Sequence, residues 1–442
     1  SIKMAYLEYT NPSRIRQRVI IYGAGAAGLN SKSAIDRDAG LKYKVIAFID
    51  DDPKKAGKKL EDITIFPYEK LDALLENQTV AHVILAIQNI SQAKKKQIVD
   101  KCYARNVKVL IVPPVSKWIN GELSFKQIKR VKIEDLLERD EIQFNQDLIK
   151  SFLTGKNILV TGAAGSIGSE IVRQLLSFKY KKLILLDIAE TPIYYLNNEL
   201  SEKADPKTYQ IIIGDICHSE KMESIFRDEK IDVVFNAAAY KHVPMMEENP
   251  SEAIKVNVGG TKILADLAVK YQVSKFVMIS TDKAVNPTSV MGASKRIAEI
   301  YVQTLNNQAS TSFITTRFGN VLGSNGSVIP LFREQIEKGG PVTITHPEVT
   351  RFFMTIPEAC RLVLVAGSLG NGGEIFMFDM GESVKIVELA KKMIKLSGLT
   401  LGKDIQIKYT GLRPGEKLYE ELLADAENTI PTSHKQILLA KV

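Results

Sequence analysis

Two short stretches limit what this chain can fold into more than anything else in it. In each, an apolar strand-like run meets closely spaced glycines and then a helix-like pattern. In the second stretch Lys156–Thr161 leads into Gly162-Ala163-Ala164-Gly165-Ser166-Ile167-Gly168, and a helical pattern runs from about Ser166 to Phe178. The first glycine permits a tight turn, the middle one lets backbone approach a pyrophosphate, and the last lets the helix pack close on the strand. The helix opening at Ser166 and Ile167 offers free N–H groups and the positive end of its dipole to phosphate. Asp187 follows nineteen residues after Gly168, at the end of the strand Leu183–Leu186. A carboxylate at that place accepts from an adenosine ribose and repels a 2′-phosphate, so the expected dinucleotide is NAD rather than NADP.

The first stretch repeats the pattern: Val19–Tyr22, then Gly23-x-Gly25-x2-Gly28, then Lys44–Ile49 closed by Asp50 and Asp51. No catalytic constellation succeeds its strands. A nucleotide or nucleotide-sugar site and a purely structural turn both stay open there. Further strand patterns lie at Val80–Ala86 and Val107–Val112, with the helix Ser91–Ala104 between them. After the second glycine turn come Gln210–Ile213, Val233–Asn236, Phe276–Ser280 and Ser312–Thr316, with helices in the gaps. Strands alternating with helices predict parallel sheets covered on both faces. The expected fold class is therefore α/β: two Rossmann-like doubly wound domains in series, the second with a smaller C-terminal substrate lobe. The expected divisions are a basic lead at 1–18, a first domain at 19–112, a connector at 113–154 carrying the short helices Ile133–Arg139 and Gln146–Phe152, and a second domain at 155–442 whose lobe starts at about 318.

Composition excludes several classes. With 45% apolar and 25% charged residues in 442, the chain reads as globular and of two or three domains. No apolar run reaches the eighteen residues of a membrane span. Cys102, Cys217 and Cys360 are far apart, and the five histidines form no HExxH, so neither a redox pair nor a metal site is expected. The net charge of +8 is uneven, residues 1–150 carrying 26 Lys and Arg against 19 Asp and Glu. These lysines sit beside acids without interleaved aromatics, so the expectation is a solvated surface and no nucleic-acid partner.

After Phe276–Ser280 the sequence reads Ser280-Thr281-Asp282-Lys283-Ala284-Val285-Asn286-Pro287, and Met291 stands four residues before Lys295. With the Gly162 turn and Asn236-Ala237-Ala238-Ala239, this resembles the extended short-chain dehydrogenase/reductases, whose Tyr-x3-Lys pair here keeps Lys295 and has Met291 at the tyrosine place. Gly165–Glu170, Tyr240-Lys241-His242-Val243-Pro244, Arg317–Ser324 and Arg413-Pro414-Gly415-Glu416-Lys417 narrow the resemblance to the nucleotide-sugar 4,6-dehydratases, and most closely to the bacterial UDP-N-acetylglucosamine 4,6-dehydratases of surface-glycan and glycoprotein-sugar synthesis. The resemblance covers essentially all of residues 15–442. Met at the tyrosine place is similar to the long members of that family, which carry N-terminal membrane helices and an additional first Rossmann-like domain.

The resemblance implies oxidation at C4 of the sugar, loss of water across C5 and C6, and return of the hydride to C6, with NAD kept bound. It assigns Asp282 as the acid for the C6 hydroxyl and Lys283 as the base at C5, beside Thr281. A solution Asp titrates near about 3.9 and a Lys near about 10.4, so both need shifting. Met291 has no proton to exchange. Asp282 is therefore the candidate to take the 4-hydroxyl proton and deliver it to O6, Tyr240 being a weaker candidate, while Lys295 holds the nicotinamide ribose. The implied cofactor set is Gly162, Gly165, Ser166, Ile167, Gly168, Asp187, Asp215, Ile216, Ala237, Ala238 and Lys295. The implied substrate set is Lys241, His242, Asn320, Ser327, Arg351, Arg413 and Glu416. The two arginines suit a diphosphate because a guanidinium binds phosphate oxygens in pairs. Arg351 in a structural ion pair stays open as well, as does Glu416 organising Arg413.

The expected substrate is UDP-N-acetylglucosamine. A C5-inverting dehydratase, a 4-epimerase and a non-catalytic nucleotide-sugar-binding regulator are the alternatives on the same scaffold. The resemblance also implies a homo-oligomer. Because the sequence opens on Ser1 with Arg14, Arg16 and Arg18 in its lead, it reads as the cytosolic part of a longer protein anchored at the bacterial inner membrane, with those arginines near the inner leaflet.

Overall fold

A computed structural model describes residues 16–38, 42–118, 121–137, 146–421 and 429–440. The chain divides into two compact units, residues 1–140 with 391–405, and residues 141–390 with 406–442. Among the described residues no helix is long and apolar enough to cross a membrane.

The first unit is built on β1 (Gln17–Tyr22), α1 (Ala26–Asp38), β2 (Tyr43–Asp50), β3 (Lys59–Leu60), β4 (Ile63–Pro67), β5 (Val80–Leu85), α2 (Gln92–Ala104), β6 (Lys108–Ile111) and β7 (Lys129–Arg130). Its sheet has the order β3-β4-β2-β1-β5-β6-β7. β1 pairs in parallel with β2 and β5. The last four residues of β1 are buried, as a strand covered on both faces requires. Arg18 lies in β1 and so is part of the sheet, whereas Arg14 lies outside the described residues. The sequence reading also missed β4, which is short and ends in proline, and the polar antiparallel edge strand β7. β7 brings part of the expected connector into this sheet. The helix expected over Ile133–Arg139 is seen at Ile133–Leu137, and the residues after it lie outside the described ones.

The second unit is built on a nine-stranded sheet. Its strands are β8 (Asn157–Thr161), β9 (Lys182–Asp187), β10 (Tyr209–Ile213), β11 (Val233–Asn236), β12 (Lys275–Thr281), β13 (Ser312–Phe318), β14 (Ile375–Phe378), β15 (Thr429–Pro431) and β16 (Ile437–Ala440). Their order is β10-β9-β8-β11-β12-β13-β14-β16-β15. All five residues of β8 are buried. The helices that shape the ligand crevice and its supporting core are α3 (Gln146–Leu153), α4 (Ser166–Leu175), α5 (Val290–Asn306), α6 (Val328–Glu337) and α7 (Ile356–Leu369).

Two boundaries differ from the sequence reading. Ile149 and Leu153 of α3 are fully buried in one core with β8 and α7, so this helix, expected in the connector, belongs to the second unit. The residues after 318 do not form only a separate lobe. β14 pairs in parallel with β13, and β16 closes on β14 antiparallel, so part of this segment extends the sheet. The pairing puts Thr161 opposite Asn236 and Thr281 opposite Phe318 at the carboxyl ends of the strands. The strand order reverses between β8 and β11. In open parallel sheets that reversal leaves a crevice beyond the carboxyl ends, where ligands bind.

Candidate active site

The crevice is a cleft of ≈ 770 Å³ in the second unit, lined by the Gly162 turn, the ends of β11, β12 and β13, the start of α6 and the segment Arg413–Glu420. Gly162 sits at φ +62°, and a Cβ there would lie 2.8 Å from the Ala238 backbone. A Cβ on Gly168 would lie 2.0 Å from the Gly162 carbonyl oxygen. Neither position tolerates a side chain, so strand, turn and helix close tightly around a cradle of backbone N–H groups. Gly165 caps α4, and Ser166, Ile167 and Ala237 also line the cleft. Asp187 accepts from the N–H groups of Ala164 at 2.8 Å and Ala189 at 2.8 Å. Each carboxylate oxygen keeps a second lone pair for a ribose hydroxyl. Asp187, Asp215, Ile216 and Ala238 lie behind or beside the cleft lining. Asp215 accepts from the Cys217 N–H at 2.8 Å, and Ile216 packs over Gly260.

The first unit repeats this geometry. Asp50 accepts from the N–H groups of Ala24 at 2.7 Å and Asp52 at 2.9 Å, and a Cβ on Gly28 would lie 1.9 Å from the Gly23 carbonyl oxygen. There Lys55 also pairs with the Asp50 carboxylate at 3.0 Å.

At the end of β12 the chain turns through a single helical turn, Asp282–Ala284, capped by the Thr281 hydroxyl. Thr281 Oγ1 donates to Asp282 Oδ1 at 2.8 Å, and Lys283 Nζ donates to the same oxygen at 3.0 Å. Lys283 Nζ also donates to Asn320 Oδ1 at 3.0 Å and stands 3.4 Å from Glu420 Oε1. Thr281 and Lys283 line the cleft. Asp282 is only 2% exposed and stands behind them, its Oδ2 without a partner. Asp282, which the resemblance assigns as the acid, is joined to the cleft lining through its bonds with Thr281 and Lys283. The expected base differs at rest. Burial alone would lower the pKa of Lys283, but the carboxylates of Asp282 and Glu420 outweigh it and hold the group above the usual lysine value. The resting side chain is an ammonium, which cannot accept a proton.

Lys295 and Met291 face the cleft from α5. Lys295 Nζ donates to the Ile279 carbonyl at 2.7 Å, and burial pushes its pKa down to about 8 against the opposing pull of Glu299. Met291 packs with Met246 and Ala253 and so fills space as well as lining the cleft. A Cβ on Gly292 would meet the Lys283 carbonyl at 2.3 Å, so α5 approaches the Asp282–Ala284 turn as closely as backbone allows. Asn257 ties this wall together: it accepts from Tyr240 N–H at 2.8 Å and donates to the Tyr240 carbonyl and to Ser294 on α5. The sequence reading missed it, since one asparagine in a helical stretch carries no signal.

Lys241, His242, Asn320, Ser327, Arg351, Arg413 and Glu416 all line the cleft. Lys241 donates to the Asn325 carbonyl at 2.9 Å, and burial lowers its pKa. Burial and then the Lys241 charge lower that of His242. Ser327 caps α6 and its buried hydroxyl has no partner, which leaves it and the helix N-terminus open to an anion. Arg351 is otherwise engaged. Its guanidinium donates to the carbonyls of Thr350, Leu418 and Lys417 and pairs with Glu416. These bonds pin the Arg413–Glu420 segment, as the structural alternative for Arg351 expects, while the residue still lines the cleft. Arg413 holds Glu416 at 3.2 Å, and its side chain is 55% exposed. Glu420, buried on the cleft wall, was not anticipated, because the link to Lys283 spans 137 residues of sequence and only folding makes it.

A model of the family described as polysaccharide biosynthesis protein matches residues 158–442, and one described as CoA-binding domain matches residues 1–113. The chain is 46% identical to the capsular polysaccharide biosynthesis protein CapD of Staphylococcus aureus over 97% of its own length and 72% of that protein. It is 36% identical to a UDP-N-acetylglucosamine 4,6-dehydratase (inverting) of Campylobacter jejuni, and 36% identical to a UDP-glucose 4-epimerase of Rickettsia akari, in each case over 62% of this chain and 79% of the relative. Among solved structures it resembles Pen from Bacillus thuringiensis, with a TM-score of 0.61 and 34% identity over 65% of this chain and 89% of that one. The match over residues 158–442 and the cleft at the strand reversal lead to one assignment: the chain belongs to the polysaccharide biosynthesis protein family, of the extended short-chain dehydrogenase/reductase type.

Proposed function

We propose that the second unit is an NAD-dependent nucleotide-sugar 4,6-dehydratase acting on UDP-N-acetylglucosamine. One observation carries this reading. Thr281, Asp282 and Lys283 form a connected proton-handling group on the cleft wall, while the tyrosine place holds the proton-free Met291. An enzyme doing only redox chemistry at C4 needs one proton acceptor. Elimination of water across C5 and C6 needs an acid and a base together. The name of the Campylobacter relative supports the same chemistry and sugar, and the relative named for 4-epimerisation marks the competing outcome.

The Gly162–Gly168 turn, Asp187 and Lys295 fit NAD: the cradle has no room for side chains, and the acid stands beside it. When bound, NAD takes a hydride from C4 and returns it at C6. The protein moves the protons. Thr281, which lines the cleft and bonds Asp282, relays the 4-hydroxyl proton to it. The protonated Asp282 later delivers it toward O6, which leaves as water. Lys283, once freed of its own proton, accepts the one from C5. Ser327 with the start of α6, and the exposed Arg413, hold the diphosphate. Incubation with UDP-N-acetylglucosamine and NMR identification of the product test the reading. A 4-keto-6-deoxy sugar is expected, and its C5 configuration separates a retaining from an inverting enzyme. A C4 epimer with an intact C6 hydroxyl would replace the dehydratase with an epimerase.

A further inference from the structure

Counting protons in the proposed reaction exposes a shortfall at Lys283. Two protons leave the sugar before water departs, one from the 4-hydroxyl and one from C5. Asp282 takes the first through Thr281. Lys283 cannot take the second while it is an ammonium, and Asp282 cannot relieve it, because it is already protonated at that point. A second acceptor within reach of Lys283 Nζ is required.

Glu420 occupies that place. Its side chain is 3% exposed, and its Oε1 stands 3.4 Å from Lys283 Nζ and 3.6 Å from Arg351 Nε. Its Oε2 is buried without any partner. That oxygen accepts nothing from the protein, so it has capacity to take a proton. The charged groups facing it are Lys283 from the catalytic turn and Arg351, which Glu416 also engages. Asp282 lies across Lys283 from it. Arg351 cannot be deprotonated, so of the two cations only Lys283 can hand a proton to Glu420.

We propose that Glu420 is the proton acceptor for Lys283, a positioning residue that converts the ammonium into the amine able to attack the C5 proton. The proposal rests on the dehydratase reading above. In the first step the Nζ–H bond of Lys283 breaks and an O–H bond forms at Glu420, turning a buried ion pair into a neutral amine and a carboxylic acid. The amine then takes the C5 proton, and the C5–H electron pair becomes the C5–C6 π-bond as C6–O6 breaks. The proton held by Asp282 goes to O6, which leaves as water. When C6 has been reduced, Lys283 returns its proton to C5 and recovers its own from Glu420. Asp282 and Glu420, the two carboxylates flanking one lysine, thus serve the two protons in turn.

The test uses the full chain with bound NAD and UDP-N-acetylglucosamine in deuterated water. Two signals are read separately: the near-ultraviolet band of reduced nicotinamide, which reports C4 oxidation, and deuterium entering C5, which reports the base. Glu420→Gln keeps the shape and an acceptor oxygen for Lys283 but cannot hold the proton. Its dinucleotide content and nicotinamide reduction should stay within about threefold of the wild type. Deuterium entry at C5 and product formation should fall by about a hundredfold, the scale for loss of a positioned proton-transfer group. Glu420→Asp, which restores a titratable carboxylate, should recover part of the loss. If Glu420 merely holds the ammonium in place, removing its charge frees the amine, and deuterium entry in Glu420→Gln stays unchanged or rises; that overturns the proposal. Equal loss of nicotinamide reduction and C5 exchange, without rescue by Asp, also overturns it. A wild-type protein that forms neither signal instead removes the dehydratase reading beneath it.

Discussion

Replacing Lys295 by Met should make the protein fitter to fold and less fit to act, with a dependence on pH that identifies the cause. Lys295 is 6% exposed, and burial pulls its pKa from 10.5 down to about 8. At pH 7 the folded protein therefore carries a buried ammonium that the unfolded chain would rather hold in water. The shift corresponds to a penalty of about 3 kcal/mol at pH 7. Between the folded and unfolded values the unfolded state binds more protons, so stability rises with pH from about 8 to about 10.5 as the penalty is relieved. Lys295→Met removes the charge and keeps the length. It also removes the donor to the Ile279 carbonyl, which costs about 1 kcal/mol. At pH 7 the variant should be more stable than the wild type by about 1–2 kcal/mol. Above pH 10 it should be less stable, by about the lost hydrogen bond. Urea denaturation of dinucleotide-free protein across this range reads both signs. A wild type that loses stability relative to the variant as pH rises would refute the reasoning. Turnover of the variant should fall steeply, since no other cation replaces the one at the expected ribose position.

Three further outcomes concern the cleft. Asp282→Asn and Lys283→Met should each lower turnover by about a hundredfold or more while dinucleotide binding survives, whereas Met291→Leu, a volume-conserving change, should act mildly; steady-state kinetics checks all three. Arg351→Met should destabilise the protein by about 3 kcal/mol, because it takes the buried cation from Glu416 and Glu420 and a donor from three carbonyls, while the exposed Arg413→Met should leave stability within about 0.5 kcal/mol and raise KM; urea denaturation and substrate titration read the two effects. Asp187→Ala should loosen the Gly162 turn and narrow any preference for NAD over NADP, read from the dinucleotide released on denaturation.

The local parts of the fold were legible in the sequence because they obey local rules. Val19–Tyr22 and Lys156–Thr161 are apolar runs leading into glycines at fixed spacing, and both became central parallel strands with an acid bonded back to the turn. What the sequence hid depends on pairing at long range. β14 and β16 join the sheet only because β13 offers them an edge, and no pattern before residue 318 announces it. Arg351 looked like a phosphate ligand because a guanidinium suits phosphate. It suits carbonyls and carboxylates equally well, and folding supplied those first. The resemblance named Asp282 as the acid but not its burial: the tight turn after Thr281 directs its carboxylate inward. Lys283 was assigned as a base by the family resemblance. Its charge state is set by Asp282 together with Glu420, which arrives from the far end of the chain.

The central claim is that the Thr281–Asp282–Lys283 group performs elimination within one bound sugar. UDP-N-acetylglucosamine carrying deuterium at C4 tests it most directly, with NMR of the product. The predicted product is a 4-keto sugar whose C6 methyl group carries that deuterium, because the hydride removed from C4 is returned to C6 of the same molecule. Deuterium retained at C4 of an epimerised sugar, or a 4-keto product with no label at C6, would contradict it.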